Sequence, residues 1–287
     1  MKKISISILS IITGSAALLL LLLRVVCLFL FHDDIGYYTS GAVLPIIANT
    51  LFGITLAFLL FAVIFSINKS QSIEPLGKFS QYAALLPMGA LIYHIIQMFI
   101  AQFNDSVVNK FLFAICAIVA SVFFFLLSLG GKKHKTVTFY FGMGALLYVF
   151  FCWMKAYFDF ATPINSTDKI FFYLSCAGAV IFIFNEMCAC YGFVRAKFYY
   201  FSLFSAITVL AVSSMSAIVG YIFGIFKTTL TLESDIFFTA LLIYAIARLI
   251  DAQKSRLTEN NTEQADSITE TPKNNEETQE NVADDSE

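Results

Sequence analysis

An all-α, polytopic membrane bundle of eight transmembrane helices, with both termini cytoplasmic, is the fold the sequence predicts, and three observations carry it. Apolar residues make up 59% of the 287-residue chain and charged residues 13%, against roughly half and a quarter in soluble domains. Eight hydrophobic segments each approach or exceed the length of about 20 residues that a helix needs to cross the hydrocarbon. Lys and Arg recur in every second connection between them.

The first segment, 4–31, contains the run Leu18 to Leu23. A lipid-spanning strand alternates apolar and polar residues over about 10 positions, so this run excludes a barrel and leaves the helix as the only spanning solution. Gly14-Ser15-Ala16 within it resembles a signal cleavage site, but cleavage there would leave a segment too short to span, and the helix is read as retained. The remaining spans are expected at 42–66, 80–103, 111–130, 137–158, 170–192, 199–224 and 236–252. Pro87-Met88-Gly89 marks a weak point in the third, because proline removes one helix hydrogen bond. Gly130-Gly131-Lys132-Lys133 lacks the upstream Gly and following Ser or Thr of a phosphate-binding loop and reads as a turn after the fourth.

Orientation follows from the basic residues, which accumulate in cytoplasmic loops. Lys2 and Lys3, Lys69 and Lys78, Lys132, Lys133 and Lys135, Arg195 and Lys197, and Lys254 and Arg256 fall in alternate connections starting from the N-terminus, whereas the intervening ones hold Lys110, Lys169 and Lys227. Eight crossings and two cytoplasmic termini agree with that bias. His32-Asp33-Asp34 and Tyr37-Tyr38 then lie at the outer face, tyrosines being common interface anchors.

Two domains are expected, a transmembrane domain over 1–252 and a tail over 253–287. Residues 259–287 hold ten acidic residues against Lys273 and no aromatic residue, too little apolar area to offset the entropy of ordering them, so the tail is read as disordered and cytoplasmic. The net charge of -2 therefore conceals +7 on residues 1–258 and -9 on the rest. The positive part is membrane orientation and does not imply nucleic acid.

All six cysteines fall inside expected spans, so no disulfide framework is indicated, and Cys188 and Cys190 point to different helix faces, a poor geometry for one metal. Zinc-protease, nucleophile-elbow and dinucleotide-binding motifs are absent, and Tyr157-Phe158-Asp159 lacks the Gly-x-Gly-Asp companion of an intramembrane aspartyl protease. No cofactor or metal is expected.

Polar residues within spans are costly and mark function by default. Arg24, Asn49 and Gln97 lie at one depth, roughly 10 Å from the outer end of their helices. His94 shares a face with Gln97, and Lys155 and Asp159 form an i,i+4 pair just above. A helical side chain leans toward its own N-terminus, which handicaps outward snorkelling by Arg24 and favours a partner inside the bundle, such as Asp159, Asp33 or Asp34. These six residues, Arg24, Asn49, His94, Gln97, Lys155 and Asp159, are the candidates for an outward-facing pocket. On the inner side Asn185 and Glu186 match the level of Arg248, which suggests an ion pair. Ser216, Gly220 and Gly224 recur every four residues and predict close helix packing.

The chemistry fits a non-catalytic, multi-pass protein of the plasma membrane that binds or moves a small solute. Its partners would be the bilayer, that solute and a cytoplasmic protein docking on the acidic tail. An accessory or sensory scaffold and a lipid-processing membrane enzyme are the alternatives. The topology predicts that, in a cysteine-free background, Ser40→Cys reacts with a membrane-impermeant maleimide on intact cells and Ser70→Cys does not. Labelling at 70 would reverse the orientation.

Overall fold

A computed structural model describes residues 6–33, 37–67, 73, 76–100, 107–131, 135–160, 163, 165–225 and 232–269. Met1 to Lys3, Asp34, the loop residues Lys69, Lys132, Lys133 and Lys227, and the tail beyond Thr269 lie outside them. Among the described residues the chain is helical throughout its spans, and the one pairing of extended backbone is an isolated antiparallel bridge between His32 and Tyr38. The end of the bundle that carries this bridge is termed outer, following the charge bias.

The helices are α1 (Ile6–Phe31), α2 (Val43–Ser66), α3 (Lys78–Ala83), α4 (Leu85–Ile100), α5 (Val107–Ser128), α6 (Lys135–Tyr157), α7 (Thr167–Tyr191), α8 (Ala196–Leu210), α9 (Ser216–Ile222) and α10 (Leu232–Thr269). Helices α3 and α4 make one span, broken at Ala84. Pro87 explains the break: it lacks an N–H, and its ring crowds the carbonyl four residues back, that of Ala83. Helices α8 and α9 make another span, joined by the π-helical turn Ala211–Met215. Seven spans meet a length and hydropathy standard for crossing a membrane. The eighth, in α10, is apolar over 236–247 and carries Arg248 and Asp251 at its inner end. The protein is therefore an α-helical, multi-pass membrane bundle. Its chain divides into two compact units, Met1–Gln253 and Lys254–Glu287, and in the second the backbone is helical as far as Thr269.

Within the first unit, α4, α5, α6, α7 and α8 pack in chain order, each on the next, and α1 rests on α2, α8, the π turn and α9. The last span occupies the centre. Phe237, Phe238, Leu241, Tyr244 and Ala245 of α10 are wholly buried. Their rings meet Phe124 of α5, Tyr148 of α6, and Phe172 and Phe182 of α7 at centroid separations of 5.1 to 6.2 Å, mostly edge to face. Edge-to-face pairs add roughly 0.5–1.5 kcal/mol each beyond the burial of area. Near its inner end α10 also caps α3, because the Asp251 carboxylate accepts the Ser80 N–H at 2.7 Å and the Ser80 hydroxyl at 2.5 Å. A carboxylate there satisfies orphan N–H groups and complements the helix dipole.

The serine and glycine repeat is divided between buried and exposed positions. Ser216 and Gly220 are buried, and Ser216 returns its hydroxyl to the carbonyls of Val212 and Ser213. Gly224 differs. It is exposed at φ +69°, with its N–H on the Tyr221 carbonyl and the Ile225 N–H on the Gly220 carbonyl, so it terminates α9 in a left-handed cap, and a Cβ there would meet nothing within 4 Å. The closest approach lies in α6. A Cβ on Gly144 would stand 2.1 Å from Val119 Cγ1 of α5, and one on Gly142 would stand 2.3 Å from Met187 Cγ of α7.

Valine is stiff at χ1 and cannot swing aside. Gly144→Ala is therefore expected to lower thermal stability in detergent, by the equivalent of about 1–3 kcal/mol, despite the better helix propensity of alanine. Gly14→Ala, where a Cβ meets nothing within 4 Å, serves as the control and should be neutral or stabilising. Equal effects of the two would contradict the α5–α6 contact.

Candidate functional site

Helix α7 organises the polar interior. Ser166 caps it by accepting the Lys169 N–H at 3.4 Å, Asp168 stands in its first turn, and Gly192 closes it at φ +91°. Asp168, Ser175, Phe182 and Glu186 follow at intervals of seven, seven and four, which keeps them on one face at 3.6 residues per turn. Asp168 and Glu186 are each matched by an arginine from another helix.

At the outer end Arg24 of α1 is only 3% exposed. Its Nη2 lies 3.3 Å from Asp168 Oδ1, and the other oxygen of that carboxylate lies 2.7 Å from His32 Nε2. The guanidinium is set against the Phe171 ring, 3.9 Å from its centroid, with Tyr38 at 5.0 Å. Asp168 accepts from Nη2 alone, and Arg24 Nε and Nη1 are buried with no partner among the described residues. The Asp168 side chain remains 24% exposed. The lean of helix side chains toward the N-terminus did not decide this geometry. The long Arg24 side chain reaches outward, but within the bundle, to an acid on α7.

The other outer candidates are distributed differently. Asp159 meets Lys169, which donates to its backbone carbonyl and lies 3.9 Å from its Oδ2. Lys155 and Gln97 are half-buried, and Asn49 is exposed on α2. His94 is buried, its Nδ1 2.7 Å from the Tyr148 hydroxyl and its ring 5.0 Å from that of Phe113. Arg24 and His94 thus have separate partners, on α7 and on α6.

At the inner end Glu186 is 1% exposed. It lies 2.8 Å from Arg248 Nε and accepts the hydroxyls of Tyr199 at 2.8 Å and Tyr244 at 2.7 Å. The pair joins α7 to α10, and the tyrosines add α8. Asn185 is half-buried and bonds locally to the Ile181 carbonyl.

Between the two ends lies a serine seam. Ser175 of α7 and Ser213 of the π turn share a hydrogen bond of 2.5 Å, and Ser213 donates to Val209 O. Ser214 bonds Leu210 O, and Thr239 of α10 reaches Ser214 at 3.4 Å. Below Ser175, α7 buries Cys176, Gly178, Ala179, Phe182 and Ile183 before Glu186. Ser175 and Glu186 are eleven positions apart, about 16 Å at the helical rise, and over this stretch α8, packed on α7, buries Ser202 and Thr208.

Sequence reasoning missed Asp168, because it lies beside Lys169 in what reads as an ordinary loop. Its signal was the Ser166-Thr167-Asp168 start of a helix. Tyr199 and Tyr244 gave no signal beyond aromaticity. No known protein family matches the chain, and no curated protein or solved structure shows significant similarity to it.

Glu186 without Arg248 would be an uncompensated buried charge, which costs about 3–5 kcal/mol. Arg248→Leu should therefore destabilise the protein by that order, and Glu186→Gln added to it should recover part of the loss. Unfolding in detergent reads both. A silent Arg248→Leu would show that the pair is not buried.

Proposed function

We propose that the bundle binds a small polar solute, entering from the outer side of the plasma membrane and lodging against Arg24. One observation carries the reading: the guanidinium is held through Nη2 alone, while Nε and Nη1 are buried without partners among the described residues. A buried polar group left unpaired costs on the order of 1–3 kcal/mol, more when charged, and the described residues supply no acceptor. A bound molecule with acceptor oxygens would remove that cost. The partly exposed Asp168 supports entry from the outer surface. The acidic tail is a separate feature, and docking of a cytoplasmic protein there would be independent of the solute.

Arg24→Lys separates the roles of the arginine, since lysine keeps a charge beside Asp168 but presents no planar fork. Native mass spectrometry of gently extracted protein should show a small-molecule adduct on the unmodified chain that is lost from Arg24→Lys, with melting temperatures within a few degrees of each other. A chain free of adducts, or an adduct that persists on Arg24→Lys, contradicts the reading.

A further inference from the structure

Helix α2 packs chiefly on α1 and α8 and buries Pro45, Ala48, Phe52, Leu59 and Val63. The face beside these residues is open. Asn49, Gly53 and Ala57 follow one another along it at intervals of four, the spacing of a helix ridge, and all three are exposed. We infer that this ridge joins two copies of the chain, with the Asn49 amides paired across the two-fold axis of a homodimer.

Depth makes the exposure of Asn49 costly. The 24 residues of α2 extend about 36 Å at the helical rise, against a hydrocarbon core of about 30 Å. Asn49 is six positions below Val43, so it stands on the order of 6 Å inside the hydrocarbon, where exposure means contact with lipid and not with water. Its side chain is too short to reach the interface as a lysine would. Thr50 and Thr55 return their hydroxyls to the carbonyls of Ile46 and Leu51 at 2.8 Å. Asn49 makes no side-chain hydrogen bond among the described residues. An unpaired amide is unfavourable in lipid, and polar side chains so placed associate helices by bonding across them.

Gly53 marks the same face independently. A Cβ there would meet nothing within 4 Å, so no contact among the described residues requires a glycine, although glycine weakens a helix relative to alanine. Close approach by another helix does require one. The two features also depend on each other. Asparagine is short, so two amides meet only where the backbones come near, and Gly53 and Ala57 permit this one and two turns below. The partner follows from the amide itself, which donates through its nitrogen and accepts through its oxygen. In a two-fold interface a residue on the axis meets its own counterpart, so Asn49 completes both bonds with Asn49 of the second copy.

The test places the full-length protein in liposomes, each chain carrying one dye on a C-terminal tag, and counts photobleaching steps as the protein-to-lipid ratio is lowered. The unmodified chain should pass from two steps to one. Asn49→Leu should move that transition to about tenfold higher protein density, and Gly53→Leu at least as far. Gly14→Leu alters another exposed glycine, on α1, where a Cβ also meets nothing within 4 Å, and should leave the transition in place. Because Asn49→Leu removes a polar group from lipid, it should keep or raise the melting temperature in detergent, which separates lost association from lost folding. In a cysteine-free background Gly53→Cys should form a disulfide-linked dimer when membranes are oxidised with copper phenanthroline, whereas Phe58→Cys, at a position 46% exposed on another face, should not. Single steps at every density, a transition unmoved by Asn49→Leu or by Gly53→Leu, or cross-linking at 58 in preference to 53 would overturn the homodimer.

Discussion

Charge inside a bilayer has to be matched, and the interior of this protein is arranged around two such matches on a single helix. Asp168 and Glu186 lie eighteen residues apart on one face of α7, roughly 27 Å at the helical rise. One draws Arg24 from α1 and the other draws Arg248 from α10. In lipid the apolar effect does not press helices together, so an ion pair that fails without its partner is a strong constraint on which helices must be neighbours. The central position of α10 follows in part from this. Its aromatic face fills the space between α5, α6 and α7, and Arg248 and Asp251 fix its inner end to α7 and α3.

The two pairs differ in completeness. Glu186 has its arginine and two tyrosine hydroxyls, and nothing in that arrangement calls for a further molecule. Arg24 is deficient. The inner pair, reached by three donors, serves as a fastener, whereas the two Arg24 nitrogens without a partner among the described residues are what the proposed solute site rests on. The serine seam and the π turn lie between them, and π turns concentrate at functional positions in helices. Here the turn brings Ser213 to Ser175.

Much of the helical framework was legible because lipid imposes a length and a composition on every span. The depth argument also placed Glu186 and Arg248 at one level, and their side chains meet. The same argument grouped Arg24 with Asn49 and Gln97, yet depth fixes only one coordinate of three. Rotation about the helix axis sends Asn49 outward and Arg24 inward, and neither helix carries enough amphipathic contrast to reveal that from a chain apolar on all sides. Asp168 was hidden for a related reason. A residue at the boundary of a loop carries no cost in water, so its presence there raises no question until a long side chain from another helix reaches it. Gly224 shows the opposite error, in which a four-residue spacing was continued past the end of the helix that gave it meaning.

The claim on which the account turns is that Arg24 and Asp168 are partners. Charge exchange tests it directly: Arg24→Asp and Asp168→Arg, singly and together, followed by size-exclusion profile and melting temperature in detergent. Each single change places two like charges side by side and should give aggregated or strongly destabilised protein. The double variant should restore a monodisperse peak and most of the lost melting temperature. A double variant no better than the worse of the two singles would contradict the pairing.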